Sequence, residues 1–427
     1  MKGVLAFLLE ISRLKTIKRT GWVWLGIRDP ETIAEHSFRT AMLAWVLGSK
    51  TTLNVGRMIE MSLLHDVCEV YAGDLTPYYG ILPKGARARK AFLQRWVRLP
   101  QKEKVVLAKK KFVLESKALF KLLKHLPKKL QQEVYGLWIV YEKGLSQEGR
   151  FVKQIDKIEA LLQAIQYFGT GPDTPVVGWW EEVEELVDHP VLREFLKSIE
   201  AYLYRKNRKA PMRKEIDFLI HVGALKRNPK AGWAIRKVPD PDSFANHTFL
   251  FALMGWIIAK EEKLSLNLGK ILKMVLCYNI CSIFLQEKTP YDTLLANAKS
   301  EKDRKAILEK WVRFPLKTKQ RMFVRRYASE KKSFQKIASF LDAKTKAEMQ
   351  GLWQDVREKN SKEAHFVNNI YVMELLLQAL LYWRKDRKFP IKPWWEWAFE
   401  SSDSQVAFNL MEEFSREFIP SSSTRKK

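Results

Sequence analysis

Cysteine is scarce in this sequence: Cys68, Cys277 and Cys281 are the three in a chain of 427 residues. An odd, sparse set excludes a disulfide framework and lacks zinc-finger spacing, so a reducing, cytoplasmic location is expected. Long apolar runs are also missing. The longest, Phe249 to Ala259, is interrupted by Gly255 and followed by Lys260, well short of the roughly 20 residues that span a bilayer, so no membrane-spanning segment is expected. The apolar start, Met1 to Lys15, is followed by no small-residue cleavage site and continues as an amphipathic pattern, which reads as folded structure. Alternating β-branched runs are few, which argues against sheets. Acidic residues are outnumbered, 48 against 75 Lys and Arg, and the formal charge of +27 favours nucleotides, nucleic acid or acidic surfaces as partners without choosing among them.

What is abundant is apolar and aromatic side chains, 46% and 12% of the chain, enough for packed cores and against disorder. The length exceeds the roughly 100 to 200 residues of one ordinary domain. Self-comparison explains the excess, because the chain contains itself twice. KAFLQRWVRL (Lys90 to Leu99) returns 215 residues later as KAILEKWVRF (Lys305 to Phe314), and Trp179-Trp180-Glu181 returns as Trp394-Trp395-Glu396. Nearer the start the offset is 211: Gly21-Trp22 matches Gly232-Trp233, and His36 matches His247. Apolar residues at three and four residue spacing predict an all-α fold for both copies. Expected boundaries are a first domain over 1–204, a basic linker over 205–214, a second domain over 215–420 and a polar tail over 421–427.

Within the first copy, Asp29-Pro30 suits an N-cap and first helical position for a helix through about Leu47. A second helix is predicted from Arg57 to Ala72, with Gly73 as its stop, and a third from about Arg150 to Tyr167. On the second, Met58, Ser62, His65, Asp66 and Glu69 share one stripe. A stripe that begins with apolar residues faces inward, where His, Asp and Glu together are costly without a partner. A divalent cation such as Mn, Co, Fe, Ni or Mg would satisfy them. Alone, each residue has a plainer reading: a buried histidine in the core, or Asp156 paired with Lys153 and Lys157 at the surface.

Taken together, KRTGW (Lys18 to Trp22), DPETIAEHS (Asp29 to Ser37), LLHDVCEVYAGDLTP (Leu63 to Pro77) and Asp156 in KQIDKIEALLQA resemble the HD-domain 5'-deoxynucleotidase family, within the HD superfamily of metal-dependent phosphohydrolases. The resemblance implies two tandem HD-type helical bundles and one divalent metal held by His36, His65, Asp66 and Asp156. It also implies catalytic roles for Glu69 and Asp74, and substrate contacts from Arg19 and Trp22. An Arg fork suits phosphate oxygens. Trp22 has two readings, stacking on a base or packing, since it recurs as Trp233. The implied reaction releases the 5'-phosphate of a nucleoside monophosphate, a small nucleotide substrate.

Carried onto the second copy, His36 becomes His247, but His65, Asp66 and Asp156 become Tyr278, Asn279 and Tyr371. Glu69, Asp74 and Arg19 become Ser282, Glu287 and Lys230. One ligand in four survives, so the second copy is expected to be a degenerate, non-catalytic domain, paired with the first as a pseudo-dimer. Residues 301–336 carry 13 Lys or Arg against 4 Asp or Glu. That basic stretch keeps two alternatives open: an HD-type phosphodiesterase or nuclease, and a module that binds nucleic acid or another partner.

Overall fold

The computed structural model describes residues 1–76, 81, 83–93, 100–171, 174–204 and 210–419; residues 205–209 of the expected linker and the 421–427 tail lie outside them. Among the described residues there is no β-sheet, and only two isolated bridges form, Lys18 with Thr32 and Pro229 with Ser243. The two bridges are 211 residues apart, so the repeat read in the sequence is also a repeat of structure.

Two compact units result. The first comprises Ala6–Lys226 with Phe340–Thr345, and the second comprises Met1–Leu5, Arg227–Ser339 and the chain from Lys346 onward. The first unit therefore runs past the expected linker over 205–214. The Arg213–Val222 helix packs on the Pro190–Leu203 and Ile33–Gly48 helices, although its sequence opens the second repeat.

At the centre of the first unit stands the Gln147–Phe168 helix, capped by the Ser146 hydroxyl and in contact with the helices Ile33–Gly48, Val55–Leu64, Lys128–Lys143 and Val177–Leu186. Surrounded on several sides, it buries polar residues as well as apolar ones, among them Asp156, Glu159 and Gln163. Buried polar groups need partners, and these are found in the site described below. The second unit repeats the plan around Lys362–Lys385, whose cap is Ser361. By length and composition that helix could cross a membrane, but 78% of its most apolar stretch is buried within the folded chain.

Two local expectations are corrected. The N-cap of the Ile33–Gly48 helix is Thr32, not Asp29: its hydroxyl accepts from Glu35 N while the Glu35 carboxylate accepts from Thr32 N, a reciprocal capping box. Asp29 instead meets Lys18 at the surface, 3.3 Å away. The helix expected over Arg57 to Ala72 is broken: Val55–Leu64 ends at His65, and a separate turn of helix covers Glu69–Ala72. Between them the backbone tightens to three-residue turns, with Val67 N bonded to Leu64 O and Glu69 N to Asp66 O. The Ser62 carbonyl, due to receive an amide four residues on, receives the His65 ring Nδ1 at 2.8 Å instead.

Candidate metal centre

His36 lies one turn into the helix that the capping box starts, and its side chain is fully buried. Its Nδ1 meets a carboxylate oxygen of Glu159, on the central helix. A carboxylate at this position accepts, so Nδ1 carries the hydrogen and Nε2 presents its lone pair. His65 is oriented the same way, its Nδ1 donating to Ser62 O.

Both Nε2 atoms converge with two carboxylates. His36 Nε2 is 2.9 Å from Asp156 Oδ1 and 3.3 Å from His65 Nε2, while His65 Nε2 is 3.0 Å from Asp66 Oδ2. Two ring nitrogens and two carboxylate oxygens at such spacing repel one another unless a positive charge lies among them, either a proton on the imidazole or a metal cation that takes its place. The same environment raises His36 to about 9: burial and Arg19 oppose its charge, but Glu159 and Asp156 outweigh them. Burial likewise works against Asp66 and Asp156, yet His65 and His36 hold Asp66, and Lys157 with the two histidines holds Asp156, below the usual carboxylate range. The donor set of two imidazoles and two carboxylates fits a borderline or hard divalent ion and leaves coordination positions for water and substrate. His36, His65 and Asp156 also stand out as a compact buried group able to hold a metal.

Around this quartet the structure brings most of the remaining expected residues. Arg19 NH1 is 3.4 Å from Asp66 Oδ2. Glu69 is buried and its Oε2 has no hydrogen-bond partner among the described residues; burial, followed by Asp66 and Asp74, pushes its carboxyl well above the ordinary range. Asp74 reaches across to accept the Thr20 amide at 2.6 Å, which fixes the backbone beside Arg19. Trp22 is buried: Trp179 stacks on it at 5.1 Å, Tyr167 meets it edge-on, and its Nε1 donates to Glu31 at 2.9 Å.

Several participants were missed by sequence reasoning. Tyr141 donates to Asp156 Oδ2 at 3.1 Å. Arg39 Nε donates to Glu159 Oε1 at 2.8 Å. The signal for Glu159 was present, since it returns as Glu374, where the ligand Asp156 does not return.

In the second unit the equivalent place is filled differently. His247 Nδ1 still pairs with Glu374, but Tyr278 and Tyr371 stack with ring centroids 4.5 Å apart. The Lys230 ammonium sits 3.1 Å from Glu287 and 3.3 Å from the Tyr371 hydroxyl. Aromatic rings and an ammonium stand where the first unit has His65, Asp66 and Asp156, and no group of this kind that could hold a metal occurs there among the described residues.

Comparison with known proteins follows this geometry. A family model described as an HD domain matches residues 11–185, 222–327 and 324–407. The chain belongs to the HD domain family. It is 34% identical over 165 residues to the 5'-deoxynucleotidase HDDC2 of Mus musculus, covering 39% of this chain and 70% of that protein. It is 30% identical over 204 residues to the 5'-deoxynucleotidase hdd1 of Schizosaccharomyces pombe, covering 46% and 88%. Against the 5'-deoxynucleotidase YGK1 of Saccharomyces cerevisiae it is 33% identical over 163 residues, covering 38% and 66%. Each relative thus corresponds to fewer than half of these residues, while the HD match itself recurs along the chain, in agreement with a tandem duplication.

Proposed function

We propose that this HD protein is a metal-dependent phosphohydrolase that removes the 5'-phosphate from nucleoside monophosphates, deoxyribonucleotides in particular, with its one active centre in the first unit. The observation that carries the reading is the convergence of two histidine Nε2 atoms and two carboxylates beside a half-buried arginine. The relatives' names supply the substrate class. His36, His65, Asp66 and Asp156 would hold the ion, which neutralises charge on a phosphoryl group and acidifies water when bound.

The protein's own groups have separable roles in this reading. Arg19 offers a fork to phosphate oxygens, held in place by Asp66 and by the backbone that Asp74 pins. Glu69, whose carboxyl is pushed well above the ordinary range by burial and by its anionic neighbours, is suited to give a proton to the departing sugar oxygen. Asp74 keeps a catalytic assignment open through its second oxygen, but Glu287 accepts the Ala231 amide at 2.7 Å in the same manner, so its anchoring role does not depend on catalysis. Trp22 offers no free face on the Trp179 side and shapes the site wall through Glu31. The second unit, with a Tyr pair and Lys230 at its centre, is non-catalytic.

The test is inorganic phosphate release from ribo- and deoxyribonucleoside 5'-monophosphates, with triphosphates, cyclic nucleotides and oligonucleotides beside them, after metal stripping and readdition of Mn, Co or Mg. Release from deoxy monophosphates is expected. Cleavage of cyclic nucleotides or oligonucleotides alone would replace this reading with the phosphodiesterase or nuclease one.

A further inference from the structure

The Gly223–Lys226 turn belongs by sequence to the second repeat, where Lys226 is the counterpart of Lys15, yet it is part of the first unit. It comes close to the central helix: Gln166 Nε2 donates to Ile220 O at 3.0 Å, and a Cβ on Gly223 would lie within 2.8 Å of the Gln166 and Arg39 side-chain ends. This approach delivers the Lys226 side chain, 4% exposed, into a buried polar cluster. Its ammonium donates to Glu31 Oε2, to Glu159 Oε1 at 2.6 Å and to Gln163 Oε1 at 2.9 Å.

From these contacts we infer that Lys226 is a positioning residue for the metal centre, supplied by the segment that opens the degenerate repeat. Glu159 uses one oxygen for Lys226 and Arg39 and the other for His36 Nδ1. The two cations fix the carboxylate, and the carboxylate sets the tautomer and direction of the ligand ring. Glu31 carries the second arm: it accepts Lys226 on Oε2 and the Trp22 indole on Oε1. One ammonium thus ties the support of a metal ligand to the indole beside Arg19. With His36 neutral, as metal ligation requires, the cluster balances two carboxylates, Glu31 and Glu159, against two cations, Arg39 and Lys226, so removing Lys226 leaves uncompensated negative charge next to His36. A first repeat without this segment lacks that support, which gives the second repeat a use independent of catalysis.

This inference rests on the metal-centre reading above, and the experiment separates the two. In the full-length chain, Lys226→Met and Lys226→Arg are compared with the unsubstituted protein by Mn and Co titration against a competing chelator, with melting of the metal-free proteins and phosphate release as parallel readouts. The expected result is a 10- to 100-fold loss of metal affinity in K226M, on the scale of other supports of metal-ligating histidines, with recovery in K226R and activity restored toward normal at saturating metal. Where K226M does not fold, Glu31→Gln combined with K226M restores the charge balance while leaving His36, Glu159 and Arg39 in place. Unsubstituted metal affinity in folded K226M or in the double variant overturns the proposal, because Lys226 would then serve folding alone. Failure of the unsubstituted protein to bind Mn or Co overturns the metal-centre reading and the inference with it. Metal binding without phosphate release overturns only the substrate reading.

Discussion

Replacing Glu159 by Gln keeps the shape of the side chain and removes its charge, at a position where three donors converge. His36 Nδ1 and Arg39 Nε, the latter at 2.8 Å, and Lys226 Nζ at 2.6 Å all point at this one carboxylate. An amide has one acceptor oxygen, so at least one buried donor loses its partner. Glu31 alone then faces two cations. Breaking a buried charge pair in this way costs about 3–5 kcal/mol. For a unit of this size each kcal/mol lowers the melting temperature by about 2–4 °C, giving a fall of roughly 6–20 °C. The loosened His36 ring weakens metal binding by about 10- to 100-fold. The matched control is Glu374→Gln, which removes the equivalent partner of His247 in a unit without the ligand quartet. It is expected to destabilise the second unit while leaving metal affinity unchanged. Calorimetry of the metal-free proteins and chelator-competition titration measure both quantities. Glu159→Gln melting within about 2 °C of the unsubstituted chain and binding metal equally well would refute the reasoning, as would equal loss of metal affinity in the two variants.

Other outcomes follow from the same paired geometry. Trp22→Phe removes a 2.9 Å bond to the Glu31 carboxylate, whereas Trp233 Nε1 has no partner among the described residues. Both changes lose similar volume, so chemical denaturation is expected to show Trp22→Phe as the costlier by about 1.5–3 kcal/mol, the worth of a hydrogen bond to a charged group; equal costs would contradict this. In the second unit, Lys230 and the Ala231 amide hold Glu287 below its ordinary value of 4.5, against the opposing effect of burial. A depressed carboxyl contributes stability above about pH 4.5 and loses it as pH falls through its folded value. Glu287→Gln should therefore lower stability at neutral pH and flatten the acid-side decline of denaturant midpoints; an unchanged slope would show that this pair does not contribute.

The four residues that converge in the first unit, His36, His65, Asp66 and Asp156, were legible in the sequence because of their residue types and because three of the four are replaced in the second copy. The helical plan was legible from apolar spacing and from the Trp and Gly landmarks of the repeat. The break at His65 was not, since it depends on a ring nitrogen taking the Ser62 carbonyl, an interaction no helix propensity encodes. The helix start was misplaced at Asp29-Pro30, because the cap is set by the reciprocal box that Glu35 completes with Thr32. Glu159 recurs as Glu374, and in both copies this carboxylate holds the histidine that survives. Lys226 lies 67 residues from Glu159 and beyond the apparent repeat boundary, so only the folded chain brings the two together.

The most direct test of the whole account is the count of divalent metal per chain after reconstitution with Mn or Co, measured by elemental analysis on the unsubstituted protein and on Asp66→Asn. One site built from the first repeat alone predicts one ion per chain, lost or greatly weakened in Asp66→Asn while the circular dichroism of the helices is kept. Two ions per chain, or a single ion retained at full affinity by Asp66→Asn, would contradict it.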